Sequence, residues 1–129
     1  MVMGILSVLA VLGVIVGMDF YRSYAFNSER DTVIAMLQKA RSRSLNNMDA
    51  VAHGFRRESD KYILFRAPYN AASADNEIIP AHPAITGSGL AEVVFTQLSG
   101  TTSNVGLMVI TDGKRTATTT INSEGRIEW

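Results

Sequence analysis

Apolar residues run almost unbroken from Met1 to Met18, with Ser7 the only polar side chain and no charge anywhere in the run. A helix of this length rises ~27 Å at ~1.5 Å per residue, close to the ~30 Å hydrocarbon core of a bilayer. Phe20 and Tyr21 follow Asp19 and stand where an interfacial aromatic belt would. The run is apolar on every side, not along one stripe, so lipid or other helices must surround it. Two other uses fit less well. A cleaved signal peptide carries a basic segment and a small-residue cleavage site. Here no Lys or Arg precedes Arg22, and no Ala-x-Ala spacing closes the run. A core helix of a soluble domain needs cover on every side, and a chain of 129 residues has little mass to supply it.

Beyond Asp19 the pattern becomes one-sided. Phe26, Val33, Leu37 and Ala40 follow one another at helical steps and share a face, which Ile34 and Met36 widen. Glu29, Arg30, Gln38, Lys39 and Arg43 fall on the opposite face. No proline occurs before Pro68, and no glycine between Ser28 and Leu45. Ser28 with Asp31 fits a capping box that would start a second helix. One continuous, bent helix fits as well. Asn46-Asn47 and then His53-Gly54 are stop signals.

The remainder reads as short strands between turns. Lys61–Arg66 is rich in β-formers. The stretch 68–83 is loop, with Glu77-Ile78-Ile79 available as a brief edge strand. Strands are expected at 92–98, 106–111, 114–122 and 126–129, with Leu107 and Val109 facing opposite to Met108 and Ile110. Asp112-Gly113 is a two-residue hairpin signal. This spacing predicts an antiparallel meander, with the terminal Trp129 sealing it against the helix. The fold class is α+β: a long N-terminal helix packed on a small antiparallel head. Three segments are expected: 1–26 as the membrane half of the helix, 27–50 as its amphipathic half, and 51–129 as the β head.

Composition adds one feature. Twelve basic and twelve acidic residues cancel. Residues 19–66 nevertheless hold nine Lys/Arg against six Asp/Glu, and residues 67–129 hold three against six. Such a split suits subunits stacked stem to head, or is chance. Nothing is basic enough to mark a nucleic-acid binder.

Candidate chemistry is sparse. The absence of cysteine excludes disulfides, thiolate metal sites and cysteine nucleophiles. His53 and His82 lie outside any metal-ligand spacing, and no cluster supplies the four ligands of a zinc site. No serine has a nucleophile-elbow context. Gly87-Ser88-Gly89 reads as a loop, not a phosphate cradle. Arg41, Arg43, Arg56 and Arg57 read as a solvated basic group, and Arg126 as the partner of Glu124 or Glu128. Neither an enzyme nor a cofactor is expected.

Three stretches, in order, carry a resemblance. They are the glycine-interrupted Leu9–Gly17, the Leu37-Gln38-Lys39-Ala40-Arg41-Ser42 segment, and the closing Thr120–Ile127 with Gly125-Arg126. Together they resemble type IV pilins and type II secretion pseudopilins, and most nearly the minor, H-type members. The likeness covers nearly the whole chain. It implies a non-enzymatic subunit in the bacterial membrane, with its head outside the cytoplasm and other pilin-like subunits as partners. Leu6, Leu9, Leu12, Gly13, Ile15 and Gly17 would then meet lipid first and neighbouring helices later. Val33, Leu37 and Ala40 would pack on the head. The alternatives are an anchored binding module that does not polymerise, and an adhesin or DNA-uptake minor pilin.

The chain departs from that family at its start. The basic leader, the glycine cut by the leader peptidase and the Phe-Thr-Leu-Ile-Glu motif are absent, and Gly4 falls about where the glutamate would be. The basic residues nearest the apolar run all follow it, which opposes the family's topology under the positive-inside rule. A true start upstream of Met1, carrying a basic leader, would reconcile both. At the other end Glu128 replaces a cation of the Gly-Arg-x-Arg tail of DNA-uptake relatives, and a carboxylate there repels phosphate. Arg126 is the one candidate nucleic-acid contact, and DNA binding is not expected.

Overall fold

The computed structural model describes every residue from Met1 to Trp129. A single helix, α1, occupies Val2–Leu45, 44 residues in all. The Ser28–Asp31 signal does not start a second helix. Thr32 Oγ1 donates to the Ser28 carbonyl at 2.9 Å and Asp31 pairs with Arg30, so both stay within the continuing turn. With no proline or glycine between 28 and 45, nothing interrupts the backbone ladder. The helix stops where the asparagines predict. The Asn46 N–H closes on the Ser42 carbonyl at 2.9 Å, and Asn47 takes a left-handed φ of 52°. Asparagine tolerates that conformation better than most residues.

A short turn at Met48–Ala50 leads to eight strands: β1 His53–Arg57, β2 Lys61–Arg66, β3 Glu77–Pro80, β4 Thr86–Gly89, β5 Glu92–Phe95, β6 Gly106–Thr111, β7 Thr116–Ile121 and β8 Ile127–Glu128. They form two four-stranded sheets, ordered β3-β2-β1-β5 and β4-β6-β7-β8, with every pairing antiparallel. The α+β class stands, but the simple meander does not. The chain leaves the first sheet after β3, contributes β4 to the second, and returns as β5 beside β1. Turn signals report only neighbours in sequence, so these crossings are invisible to them.

Several local expectations are corrected. His53-Gly54 does not end an element; it opens β1, the strand that lies across the helix. Gly54 opposes Phe65, and a Cβ on Gly54 would lie 2.5 Å from the Phe65 ring. The bare glycine is the space that ring occupies. Gly87-Ser88-Gly89 is strand, not loop, paired with Ile110, Val109 and Met108. The β6–β7 turn centres one residue later than Asp112-Gly113. The Asp112 N–H meets the Arg115 carbonyl at 3.2 Å, leaving Gly113 and Lys114 at the tip. Trp129 seals nothing: 67% of it is exposed, because β8 ends at the sheet edge. Ile78 and Ile79 do form an edge strand, in β3.

The core lies between α1 and the inner faces of both sheets. Val33, Met36, Leu37 and Ala40 pack with Phe55, Tyr62, Leu64, Val93 and Phe95 of the first sheet and with Met108 and Ile121 of the second. As the alternation requires, Met108 and Ile110 point inward while Leu107 is exposed. A smaller cluster of Phe26, Ile85 and Ile110 extends this core toward the N-terminus. Phe26 therefore belongs to the head.

Leu37 is fully buried at the centre. Leu37→Asp removes its packing and places a carboxylate with no partner there, at a cost of at least ~3 kcal/mol. For a head of this size the unfolding midpoint of the detergent-solubilised chain, followed by near-UV circular dichroism, is expected to fall by more than ~10 °C.

Candidate anchoring and assembly surface

Two halves of one helix meet different surroundings. From Met1 to Arg22 every side chain is exposed, and the apolar window within this half has none of its residues buried. Leu6, Leu9, Leu12 and Ile15 leave 60%, 59%, 54% and 55% of their surface uncovered. Only the helix's own neighbours shade them, so the head gives this half no shelter. It is the single helix long and apolar enough to cross a membrane. Gly13 and Gly17 stand one turn apart, and a Cβ added at either would meet nothing within 4 Å. No contact within the chain uses either glycine.

The second half is the reverse. Val33 and Ala40 join Leu37 in the core, on the predicted face. The stripe also continues to Ser44, whose importance the pattern did not reveal. Ser44 is fully buried at the helix end. Its hydroxyl accepts the His53 N–H at 2.8 Å and donates to the Phe95 carbonyl at 3.0 Å, while its own carbonyl accepts the Leu98 N–H at 2.8 Å. One small residue thus ties α1 to β1 and β5. Its position four after Ala40 was the available signal, but a hydroxyl there reads as the edge of a stripe.

Charged residues on the outer face of the helix reach back to the head. Lys39 and Arg43 both donate to Glu77 of β3, at 2.6 and 3.0 Å, and the Lys39 hydrogen bond holds that carboxyl below its usual range. Glu29 accepts the His82 N–H at 2.9 Å. Arg41 spans the Gly100 and Glu124 carbonyls, both at 3.4 Å. The four arginines grouped on sequence are thus dispersed. Arg56 pairs with Glu92 at 2.7 Å and lies over the Tyr69 ring, and Arg57 fills the space beside Gly87. Arg126 is exposed and engages Glu128 at 3.0 Å, so its charge is countered where a phosphate would have to bind.

His53 is buried beside Ser44, with Nδ1 unpartnered and Nε2 3.7 Å from Asp49. Burial, with the nearby Arg43 charge, holds the imidazole below its ordinary 6.5, against the pull of Asp49.

Comparison of the chain with protein-family models, curated proteins and solved structures gave no match.

The depressed His53 value carries a pH dependence. The unfolded chain takes up a proton as pH falls through about 6.5, while the native imidazole resists until a lower pH. Stability is therefore complete above that range and declines below it. The urea midpoint is expected to drop between about pH 7.5 and about pH 5.5, and His53→Gln to flatten that drop. Equal slopes in both proteins would assign the dependence to other groups.

Proposed function

We propose that this chain is a non-enzymatic, pilin-like subunit, anchored in the bacterial membrane by the first half of α1 and assembled helix against helix into a type IV pilus or type II secretion-type filament. One observation carries the reading. A single unbroken helix gives its second half to the core of the head and leaves the apolar run Met1–Met18 bare. Such a half needs an apolar surrounding, and the rigid continuation transmits its position to the head. Lipid serves before assembly. Neighbouring stems serve afterwards, so the helix exchanges one apolar environment for another without passing exposed through water. The head stays on the extracytoplasmic side. The sequence resemblance described above supports the same role.

Gly13 and Gly17 support assembly over a solitary anchor. Glycine weakens a helix by ~1 kcal/mol relative to alanine, and a small-x-x-x-small pair lets another helix approach closely. A lone lipid-facing span needs neither property.

Anchoring is checked by fractionation. The full chain is expected in the membrane pellet, and a chain beginning at Ser23, which keeps the buried Phe26, in the aqueous fraction. A full chain that remains soluble without detergent would remove the anchor. Assembly is checked by crosslinking between stems. Gly13→Leu with Gly17→Leu is expected to leave the membrane level unchanged and to abolish stem-to-stem crosslinks. Undiminished crosslinking at equal membrane level would favour a solitary anchored module.

A further inference from the structure

At the base of the head, α1 and the β6–β7 turn enclose a cavity of about 250 Å³. Tyr21, Arg22 and Phe26 line it from the helix, and Asp112, Lys114 and Arg115 from the turn, with His82 at the segment before β4. At ~30 Å³ per water this volume is about eight waters, room for a phosphate with a short polyol. Phe26 and Ile85 supply an apolar wall, and three cations, Arg22, Lys114 and Arg115, face one carboxylate, Asp112, across the rest.

The charges are unevenly spent. Asp112 is fully engaged: it accepts the Lys114 and Arg115 N–H groups at 3.0 and 2.6 Å and pairs with the Arg115 guanidinium at 3.1 Å. Lys114 meets only Asp19, at 3.4 Å and with both side chains largely exposed, a contact of little strength. Arg22 has no carboxylate partner within ion-pair distance. The Nδ1 of His82 accepts the Ala84 N–H at 3.2 Å, which leaves Nε2 as its donor. Two weakly committed cations and the His82 ring therefore surround a cavity whose one carboxylate, Asp112, is already spent on the turn and on Arg115.

The level of this cavity selects the ligand. The uncharged run ends at Met18, so Asp19 lies ~1.5 Å and Arg22 ~6 Å beyond the hydrocarbon edge along the helix. The headgroup layer is about 5–7 Å deep on each side. With the apolar half in the bilayer, Arg22 and the Lys114 tip stand among lipid phosphates, and Tyr21 at the interface. We propose that this cavity seats the headgroup of an anionic phospholipid from the leaflet facing the head, its phosphate between Arg22 and Lys114. The proposal rests on the anchoring read above. It gives the waiting subunit a second attachment, which fixes the head against the membrane.

The test uses the full chain in nanodiscs of mixed phosphatidylglycerol and phosphatidylcholine, with retained lipid counted by native mass spectrometry after partial delipidation. Flotation with vesicles of the same mixture reports anchoring separately. Phosphatidylglycerol is expected to be retained in excess, and Arg22→Gln with Lys114→Gln to cut that excess roughly tenfold or more. Arg66→Gln with Arg126→Gln removes the same charge far from the cavity and is expected to leave it unchanged. Added inorganic phosphate is expected not to displace the lipid, because the acyl chains hold it in place. Equal retention of both lipids by a chain that floats, or equal losses in the two variants, would overturn the site and leave the anchor intact. Displacement by inorganic phosphate would overturn the lipid in favour of a free anion. A crosslink from this cavity to a second copy in place of lipid would overturn it in favour of a subunit contact. A chain that does not float would overturn the anchor, and this site with it.

Discussion

The packing of one stripe of α1 against β1 and its neighbours is the contact on which the molecule depends. From Phe26 to Ser44 the helix is the third wall of the core, and neither sheet can bury its inner face without it. A head of this size is near the lower limit for a stable core, and the helix supplies the missing apolar cover. The same continuity that makes α1 part of the core makes its first half a rigid extension. The bare half does not fold back onto the head, because it continues the same unbroken helix that the core holds.

Polar contacts then refine what packing establishes. Ser44 spans β1 and β5 at the point where both strands reach the helix end, and its hydroxyl satisfies backbone groups that would otherwise be buried without partners. Glu77 collects two cations from the helix and brings the edge strand β3 into the assembly. At the C-terminal end the Gly125 backbone approaches the Gly100 carbonyl so closely that a Cβ would lie 1.8 Å from its oxygen. Gly125 also has a φ of 76°, which only glycine adopts freely. Glycine in the closing Gly-Arg step is therefore required by the local fold, independently of any ligand at Arg126.

The split in charge along the chain has a partly internal use. Cations of residues 19–66 meet carboxylates of residues 67–129 at Lys39–Glu77, Arg43–Glu77 and Arg56–Glu92. These contacts consume much of the asymmetry within one molecule, which leaves less of it for stacking between molecules. The exception is the base of the head, where Arg22 and Lys114 remain weakly engaged.

Much of the architecture follows from the sequence alone because it is local. The span of the apolar run, the stripe of Phe26, Val33, Leu37 and Ala40, the stop at Asn46-Asn47 and the inward face of β6 all arise from periodicity within a few turns or one strand. Whether Ser28 began a new helix had to be decided by packing: Thr32 and Asp31 have uses inside a continuous helix that a capping pattern does not reveal. The division into two sheets, the passage of β4 to one and β5 to the other, and the burial of Ser44 and His53 are tertiary outcomes. They arise from pairings between residues dozens of positions apart, such as His53 with Phe95 and Gly87 with Ile110. No local pattern encodes such partners, because their free energy comes from joint burial against the helix and exists only once the chain has closed around it.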